Sequence, residues 1–410
     1  MASFDLAAIL APVTPAQFFA EHYDKAPLHV PGSPAKFASV MGWRELNRIL
    51  DQTHIWSGAS LKLAVEGQLI PQDQYCQRAQ GRDGVEVWQP LATRVQEAIR
   101  KGASLVLNDI DSLTPGLSSI SNALEAAGLG KAQANLYLSW QSHRAFQSHF
   151  DTHDVWAVHV EGEKTWNVYE GRFDAPIPAP AFRQLGQAFH DKAKRGLMRQ
   201  VRLKPGDLLY LPRGWYHDAL ADSPSSIHVA FGVNAPLALD FLNLLQERAM
   251  TDSVFRQSLP RWEDTTQGRF ALQERAVLLG QKLAELCRDP KVLAALEQLV
   301  SNYRFPRGGY GLGPSFREGG AAPVAPGNGA EEGQVFRVFA EGAKTVRRGA
   351  DWALKGAQAS INLTPAEAEA TGWVLSRTDL AEGELRAAFP LVDAASLLQR
   401  LSTAGIVARA

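Results

Sequence analysis

The stretch Ala134-Asn-Leu-Tyr-Leu-Ser-Trp140 alternates small or apolar side chains with polar ones. Trp156-Ala-Val-His-Val160, Thr165-Trp-Asn-Val-Tyr169, Asp207-Leu-Leu-Tyr-Leu211 and Ser226-Ile-His-Val-Ala-Phe231 follow in the same manner. Side chains of a strand point alternately to its two faces, so a period of two marks β-structure. Strands this short, this closely spaced and punctuated by turns such as Glu161-Gly-Glu-Lys164 and Pro212-Arg-Gly-Trp215 predict an antiparallel sandwich or barrel.

Outward from that core the pattern turns helical on both sides, which makes the chain α+β. Residues 1 to about 130 read as helices with short strands. Thr14-Pro-Ala-Gln17 places a capping threonine before a proline at the first helical position, and Pro27-Leu-His-Val-Pro31 is a short strand between prolines. After Pro236, Leu237, Phe241, Leu244 and Leu245 share a face, and helices over 271–286 and 292–300 follow, broken at Asp289-Pro290. Apolar helix faces outside a barrel need a partner, so 237–306 is expected to be a homodimer interface. The Gly/Pro-rich run 307–333 reads as a linker or long loop. Beyond it, Val335-Phe-Arg-Val-Phe339 is a candidate strand, Thr364-Pro-Ala-Glu367 a capping box, and a further helix spans about 394–403, together a small helical domain with a β wing over 334–410. The catalytic region is expected over 1–236, with its barrel at about 131–236.

Composition excludes several classes. With 42 Lys+Arg against 43 Asp+Glu, the formal net charge of -1 gives no bulk attraction to nucleic acid or to anionic membranes. Cys76 and Cys287 are the only 2 cysteines, which rules out a disulfide framework and a thiolate zinc site. The N-terminal residues lack a signal-peptide pattern, and no run of about 18 apolar residues occurs. A soluble cytoplasmic protein is the expectation.

The chemistry concentrates on His149-Phe-Asp151 and His217. On one strand, positions 149 and 151 would face the same way, and the turn Pro212-Arg-Gly-Trp215 returns His217 toward them. Two histidines and one carboxylate leave coordination positions open, as in non-haem Fe(II) oxygenases and unlike closed structural sites. An isolated H-x-D occurs by chance in many proteins; the strand and turn that deliver His217 give this one its weight.

Five segments together resemble the JmjC and cupin-like Fe(II)/2-oxoglutarate oxygenases, and within them the ribosomal oxygenases. They are Phe18-Phe-Ala-Glu-His-Tyr-Asp-Lys-Ala-Pro-Leu-His-Val30, Asn135-Leu-Tyr137, His149-Phe-Asp-Thr-His-Asp-Val-Trp156, Glu161-Gly-Glu-Lys-Thr-Trp166 and Pro205-Gly-Asp-Leu-Leu-Tyr-Leu-Pro-Arg-Gly-Trp-Tyr-His217. The resemblance implies a double-stranded β-helix (jelly-roll) core, a helical dimerisation region and a C-terminal winged-helix-like domain. It implies Fe(II) at His149, Asp151 and His217, 2-oxoglutarate as co-substrate, and succinate and CO2 as co-products. Lys164 is placed as the cation for the far carboxylate of 2-oxoglutarate, a role its point charge suits. Asn135 and Tyr137 match positions lining the same pocket, and His228 is grouped with them. No catalytic side chain beyond the metal ligands is implied. His153 and His159 are expected to be polar residues of the core or rim. Arg144 and Asp154 are placed near the mouth, as substrate contacts or surface salt bridges. The implied substrate is a histidine or arginine of a ribosomal protein; a lysine at position 164 tilts away from arginine without deciding it. Lysine demethylation ranks lower, and a small molecule or non-ribosomal peptide is the alternative substrate class.

Overall fold

The protein is described by a computed structural model covering residues 4–65, 67–81, 84–140, 147–308, 335–339, 343–348, 351–355, 360–377 and 379–409. The chain divides into two compact units, Met1–Arg307 and Gly308–Ala410. The strands of the first unit are β1 (Leu28–Val30), β2 (Leu61–Val65), β3 (Gln68–Leu69), β4 (Cys76–Gln80), β5 (Glu86–Pro90), β6 (Ser104–Leu107), β7 (Lys131–Trp140), β8 (Asp154–Glu161), β9 (Lys164–Arg172), β10 (Leu197–Leu203), β11 (Leu208–Leu211), β12 (Trp215–Ala221) and β13 (Ser225–Asn234). A large antiparallel sheet runs β1-β11-β8-β13-β7-β6-β2-β3 and a small one β10-β9-β12, while β4 and β5 form a separate hairpin.

The large sheet buries both faces, and this explains its sequence. In β7 and β13, Ala132, Ala134, Leu136, Leu138, Ile227, Val229, Phe231 and Val233 pack into one core with the N-terminal helices. Side chains at the intervening positions point the opposite way, into the space between the sheets. A second, smaller core of Val155, Ala157, Trp166, Val168, Val201, Leu203, Leu209 and Leu211 joins the two sheets.

The helix Pro15–Glu21 docks on the first core. Its capping box is closed by Gln17 N–H donating to Thr14 Oγ1 (3.2 Å) and Thr14 N–H donating to Gln17 Oε1 (3.1 Å). Its Phe18 ring then sits 5.0 Å from that of Trp156 and 4.9 Å from that of Tyr210. The sheet extends beyond 131–236, because Leu28 pairs with Tyr210 at one end and Leu105 with Leu138 toward the other.

Two local expectations are corrected. His149-Phe-Asp151 is not a strand: His149 makes an isolated antiparallel bridge to His217, and β8 begins only at Asp154. The strand expected from Asp207 begins at Leu208, because the preceding Gly206 has a φ of +96° and turns the chain there. A side chain at 206 would meet Ser33 O at 1.9 Å, so only glycine fits. Asp207 closes the turn by accepting from Gly32 N–H (2.9 Å) and Lys204 N–H (3.1 Å).

In the second unit, Val335–Val338, Asp379–Ala381 and Val407–Arg409 form one sheet and Lys344–Arg348, Asp351–Lys355 and Ser360–Leu363 another. The helix Pro365–Leu375 opens on the Thr364 capping box, and with Glu382–Ala388 and Ala394–Thr403 it encloses a core around Val374, Leu385, Leu397 and Leu401. Most of the Gly/Pro-rich run lies outside the described residues. Arg307 belongs to the first unit: its buried guanidinium pairs with Asp111 and with Glu125 (2.7 Å).

Replacing Phe18 by alanine removes a buried aromatic that joins helix to sheet, and is expected to cost about 3–5 kcal/mol of stability. Denaturant unfolding followed by near-UV circular dichroism checks this; a loss under about 1 kcal/mol would show that the helix is not part of the cooperative core.

Candidate metal centre and cavity

The bridge between His149 and His217 is a reciprocal backbone pair, His149 N–H to His217 O (3.0 Å) and His217 N–H to His149 O (2.9 Å). It sets the two imidazoles side by side, with ring centroids 4.6 Å apart. Each ring places Nδ1 against a backbone carbonyl: His149 Nδ1 is 2.7 Å from Gln147 O, and His217 Nδ1 is 3.0 Å from Trp215 O. A carbonyl only accepts, so Nδ1 carries the proton in both rings and each Nε2 is left with its lone pair. Asp151 Oδ2 lies 3.5 Å from His217 Nε2. One ligand atom from each of the three residues falls within 4.8 Å of the others.

The turn that delivers His217 depends on Gly214, at φ +82°, where a side chain would meet Phe173 O at 2.0 Å. Gly214 N–H donates to Asp151 O (2.8 Å), tying the turn to the carboxylate ligand.

The protonation states suit coordination. Burial, reinforced by His149, pushes the His217 imidazole down to about 4, so it is neutral at pH 7. For Asp151 burial works in the raising direction, but His149, His153 and His217 together outweigh it and hold the carboxyl below its ordinary value. Neutral imidazole and ionised carboxylate are the ligand forms.

The three residues open onto a cavity of about 330 Å³ between the sheets. Lys164, Asn135, Tyr137 and His228 line the same cavity, so the residues expected to hold the metal and the co-substrate converge there. Lys164 is 3% exposed, and its Nζ donates to Ser139 Oγ at 3.0 Å. No carboxylate pairs with it among the described residues, and burial lowers its pKa to about 7. Burial also raises the Tyr137 phenol and, with the Lys164 charge, lowers His228 well below the usual range. The Tyr137 and His228 rings stack at 4.9 Å, 7° from parallel.

His153, expected in the core or at the rim, lies on the cavity lining. Gly232 of β13 makes room for it, since a side chain there would come within 2.8 Å of the His153 ring. Trp166 also lines the cavity, stacked 5.6 Å from the His217 ring. The alternation 149, 151, 153 was a signal for His153, and the spacing from Lys164 was one for Trp166. Two other residues play no visible part. Asp154 is buried, neither a surface salt bridge nor a substrate contact, and accepts from Tyr210 OH (3.0 Å) and Arg213 N–H (2.9 Å). His159 is buried with Nε2 3.0 Å from Gly162 O, and Arg144 lies outside the described residues.

Comparison with known proteins bears on this geometry. Residues 113–241 match the JmjC domain family. The chain is 27% identical over 262 residues to "Ribosomal oxygenase 1" of Gallus gallus, covering 62% of this chain and 41% of that protein. It is 25% identical over 247 residues to "Bifunctional lysine-specific demethylase and histidyl-hydroxylase NO66" of Drosophila persimilis, covering 59% of this chain and 33% of that one. The chain thus spans well under half the length of these curated relatives. Among solved structures, the Escherichia coli ribosomal oxygenase YcfD in complex with cobalt and 2-oxoglutarate superposes with a TM-score of 0.51 at 14% identity, covering 97% of this chain and 98% of that one. The fold is therefore the JmjC/cupin double-stranded β-helix. No helix among the described residues is long and apolar enough to cross a membrane.

A divalent metal such as Co(II) is expected to raise the melting temperature of the protein, by the equivalent of about 2.7 kcal/mol at 100 times its Kd. In Asp151→Ala and His217→Ala this rise should vanish. Equal stabilisation of wild type and both variants would place metal binding elsewhere.

Proposed function

We propose that the protein is an Fe(II)- and 2-oxoglutarate-dependent dioxygenase that hydroxylates a ribosomal protein, on a histidine side chain in preference to arginine. The observation that carries this reading is Lys164, a buried lysine that, among the described residues, donates to a neutral hydroxyl and pairs with no carboxylate, in the same cavity as a two-histidine, one-carboxylate set. Such a cation calls for an anionic ligand, since desolvating a charge without a counter-charge is costly. The donor set fits Fe(II): mixed nitrogen and oxygen ligands, correct tautomers, and room for further ligands on the cavity side. The names of the relatives support the substrate class, and histidyl hydroxylation in particular.

When bound, Fe(II) supplies the activation of O2 that couples decarboxylation of 2-oxoglutarate, to succinate and CO2, with hydroxylation of a substrate C–H bond. The chain's own residues do the positioning. His149, Asp151 and His217 would hold the metal on one side of the cavity. Lys164 would pair with the far carboxylate of 2-oxoglutarate and so fix its orientation. Tyr137, Asn135 and His228 would line the co-substrate, while Val155, Trp166, Ala219 and Ala230 keep the rest of the cavity apolar and limit water.

We assign the helices Ala238–Ala249 and Thr266–Leu286 to a homodimer interface, supported by the exposure of Leu239, Leu242, Trp262 and Val277 in and between them. A monomeric mass by light scattering at micromolar concentration would overturn that assignment.

The Lys164 shift has a sign that can be checked. Burial brings the deprotonation of the ammonium to about 7, and a bound dianion raises that value. Binding of 2-oxoglutarate above pH 7 must therefore take up a proton, and its affinity should fall about tenfold per pH unit there. Calorimetry of the metal-loaded protein in buffers of different ionisation enthalpy measures both; an affinity constant from pH 7 to 9 would refute the role of Lys164.

The substrate is tested by mass spectrometry of intact ribosomal proteins from the native host, comparing wild type, a deletion and His149→Ala. One added oxygen on a large-subunit protein, absent from both mutant strains, is the expected result. Identical spectra in all three strains would remove the ribosomal substrate in favour of another protein or a small molecule.

A further inference from the structure

Opposite the cavity, on the outer face of the small sheet, a row of polar side chains crosses the strands. Gln200 of β10 stands beside Asn167 of β9, Asn167 beside Asp218 of β12, and Asp218 faces Ser148, which precedes the His149 bridge. One position along, Val168, His217 and His149 make the parallel inner row. The outer row is therefore one residue away from both histidine ligands.

Asp218 is 1% exposed and collects three donors. Ser148 Oγ–H and Tyr169 OH donate to Oδ2, each at 2.6 Å, and Asn167 Nδ2–H donates to Oδ1 at 2.8 Å. Lys194 Nζ donates to Ser148 Oγ at 3.0 Å, placing a cation one hydroxyl away from the buried carboxylate. Gln187 Nε2–H donates to Ser148 O at 3.1 Å from the covering helix Gln187–Ala193.

We infer that Asp218 is a positioning residue for the metal centre, acting through Ser148 to fix the spacing and pitch of the two segments that carry His149 and His217. The bridge between those histidines is isolated, so no continuous ladder fixes how the 149 segment lies against β12. On one side of the bridge the segment is held by the backbone bond from Gly214 N–H to Asp151 O. The Ser148–Asp218 hydrogen bond, directly adjacent on the other side, holds it there. A carboxylate is favoured because Ser148, Asn167 and Tyr169 all donate to it; an amide would turn its NH2 toward one of them. This inference rests on the metal-centre reading above.

The test is Co(II) affinity by chelator competition, together with the cobalt d–d spectrum, well below the melting temperature of each variant. Asp218→Asn and Ser148→Ala are expected to bind Co(II) roughly 10- to 100-fold more weakly than wild type, with shifted bands. Ser148→Thr, which keeps the hydroxyl, should restore most of the affinity. Arg202→Ala, which breaks an exposed pair with Glu163 on the same outer face, should leave it unchanged. Wild-type affinity and spectrum in Asp218→Asn and Ser148→Ala, whatever their melting temperatures, would overturn the inference and leave the metal centre standing. Should Asp218→Asn not fold, Ser148→Ala decides alone. A wild type that binds no Co(II) would overturn the metal-centre reading and this inference with it.

Discussion

The reciprocal backbone pair between His149 and His217 is the constraint on which the site depends. Each histidine reaches the centre only because the other's backbone holds it there, and each uses its own neighbouring carbonyl to set its tautomer. The rings are oriented, the Asp151 backbone is held to the Gly214 turn, and one ligand atom of each residue lies within 4.8 Å of the others. Preorganisation of this kind means that binding need not be accompanied by ordering of the ligands, which preserves affinity.

A division of labour in the large sheet makes this possible. One face is closed by the N-terminal helices with Phe18, Trp156 and Tyr210 at its centre, and that apolar burial carries stability. The other face is thereby freed to carry groups that contribute little to stability or reduce it. His228 and the half-buried Tyr137 on that face, with Lys164 facing them from the small sheet, are polar groups whose pKa values move in the direction that disfavours charge. A buried lysine with no carboxylate partner among the described residues is a destabilising feature, and destabilisation of that kind is common where a ligand relieves it.

Much of this was legible in the sequence, for identifiable reasons. Alternation with a period of two revealed the strands, and the H-x-D pair with a distant turn-delivered histidine revealed the ligands, because both signals are local. The misassigned strand at 149–151 shows the boundary of such reasoning: same-face placement there comes from an isolated bridge to a residue 68 positions away, counting from 149 to 217, and not from a strand. His153 and Gly232 were illegible as a pair for the same reason, since a glycine that yields space to a ring on a neighbouring strand has no signature in its own neighbourhood. Arg307 looked like the start of a linker because its partners Asp111 and Glu125 lie far back in the chain.

Asp218 illustrates the deepest layer of that limit. In sequence it is an acidic residue beside a ligand, in a strand whose alternation points it away from the cavity, and outward-facing carboxylates are ordinarily solvated. Only the insertion between β9 and β10 makes it otherwise, by laying Gln187 and Lys194 over Ser148 and sealing the outer face at that one place. The seal converts a surface hydrogen bond, worth little in water, into one made at low dielectric between the two segments that carry the ligands. The outer face of a small sheet thereby gains a hold on chemistry conducted on its inner face. That hold works through the backbone both faces share, which explains how a residue that never meets the cavity can set its geometry.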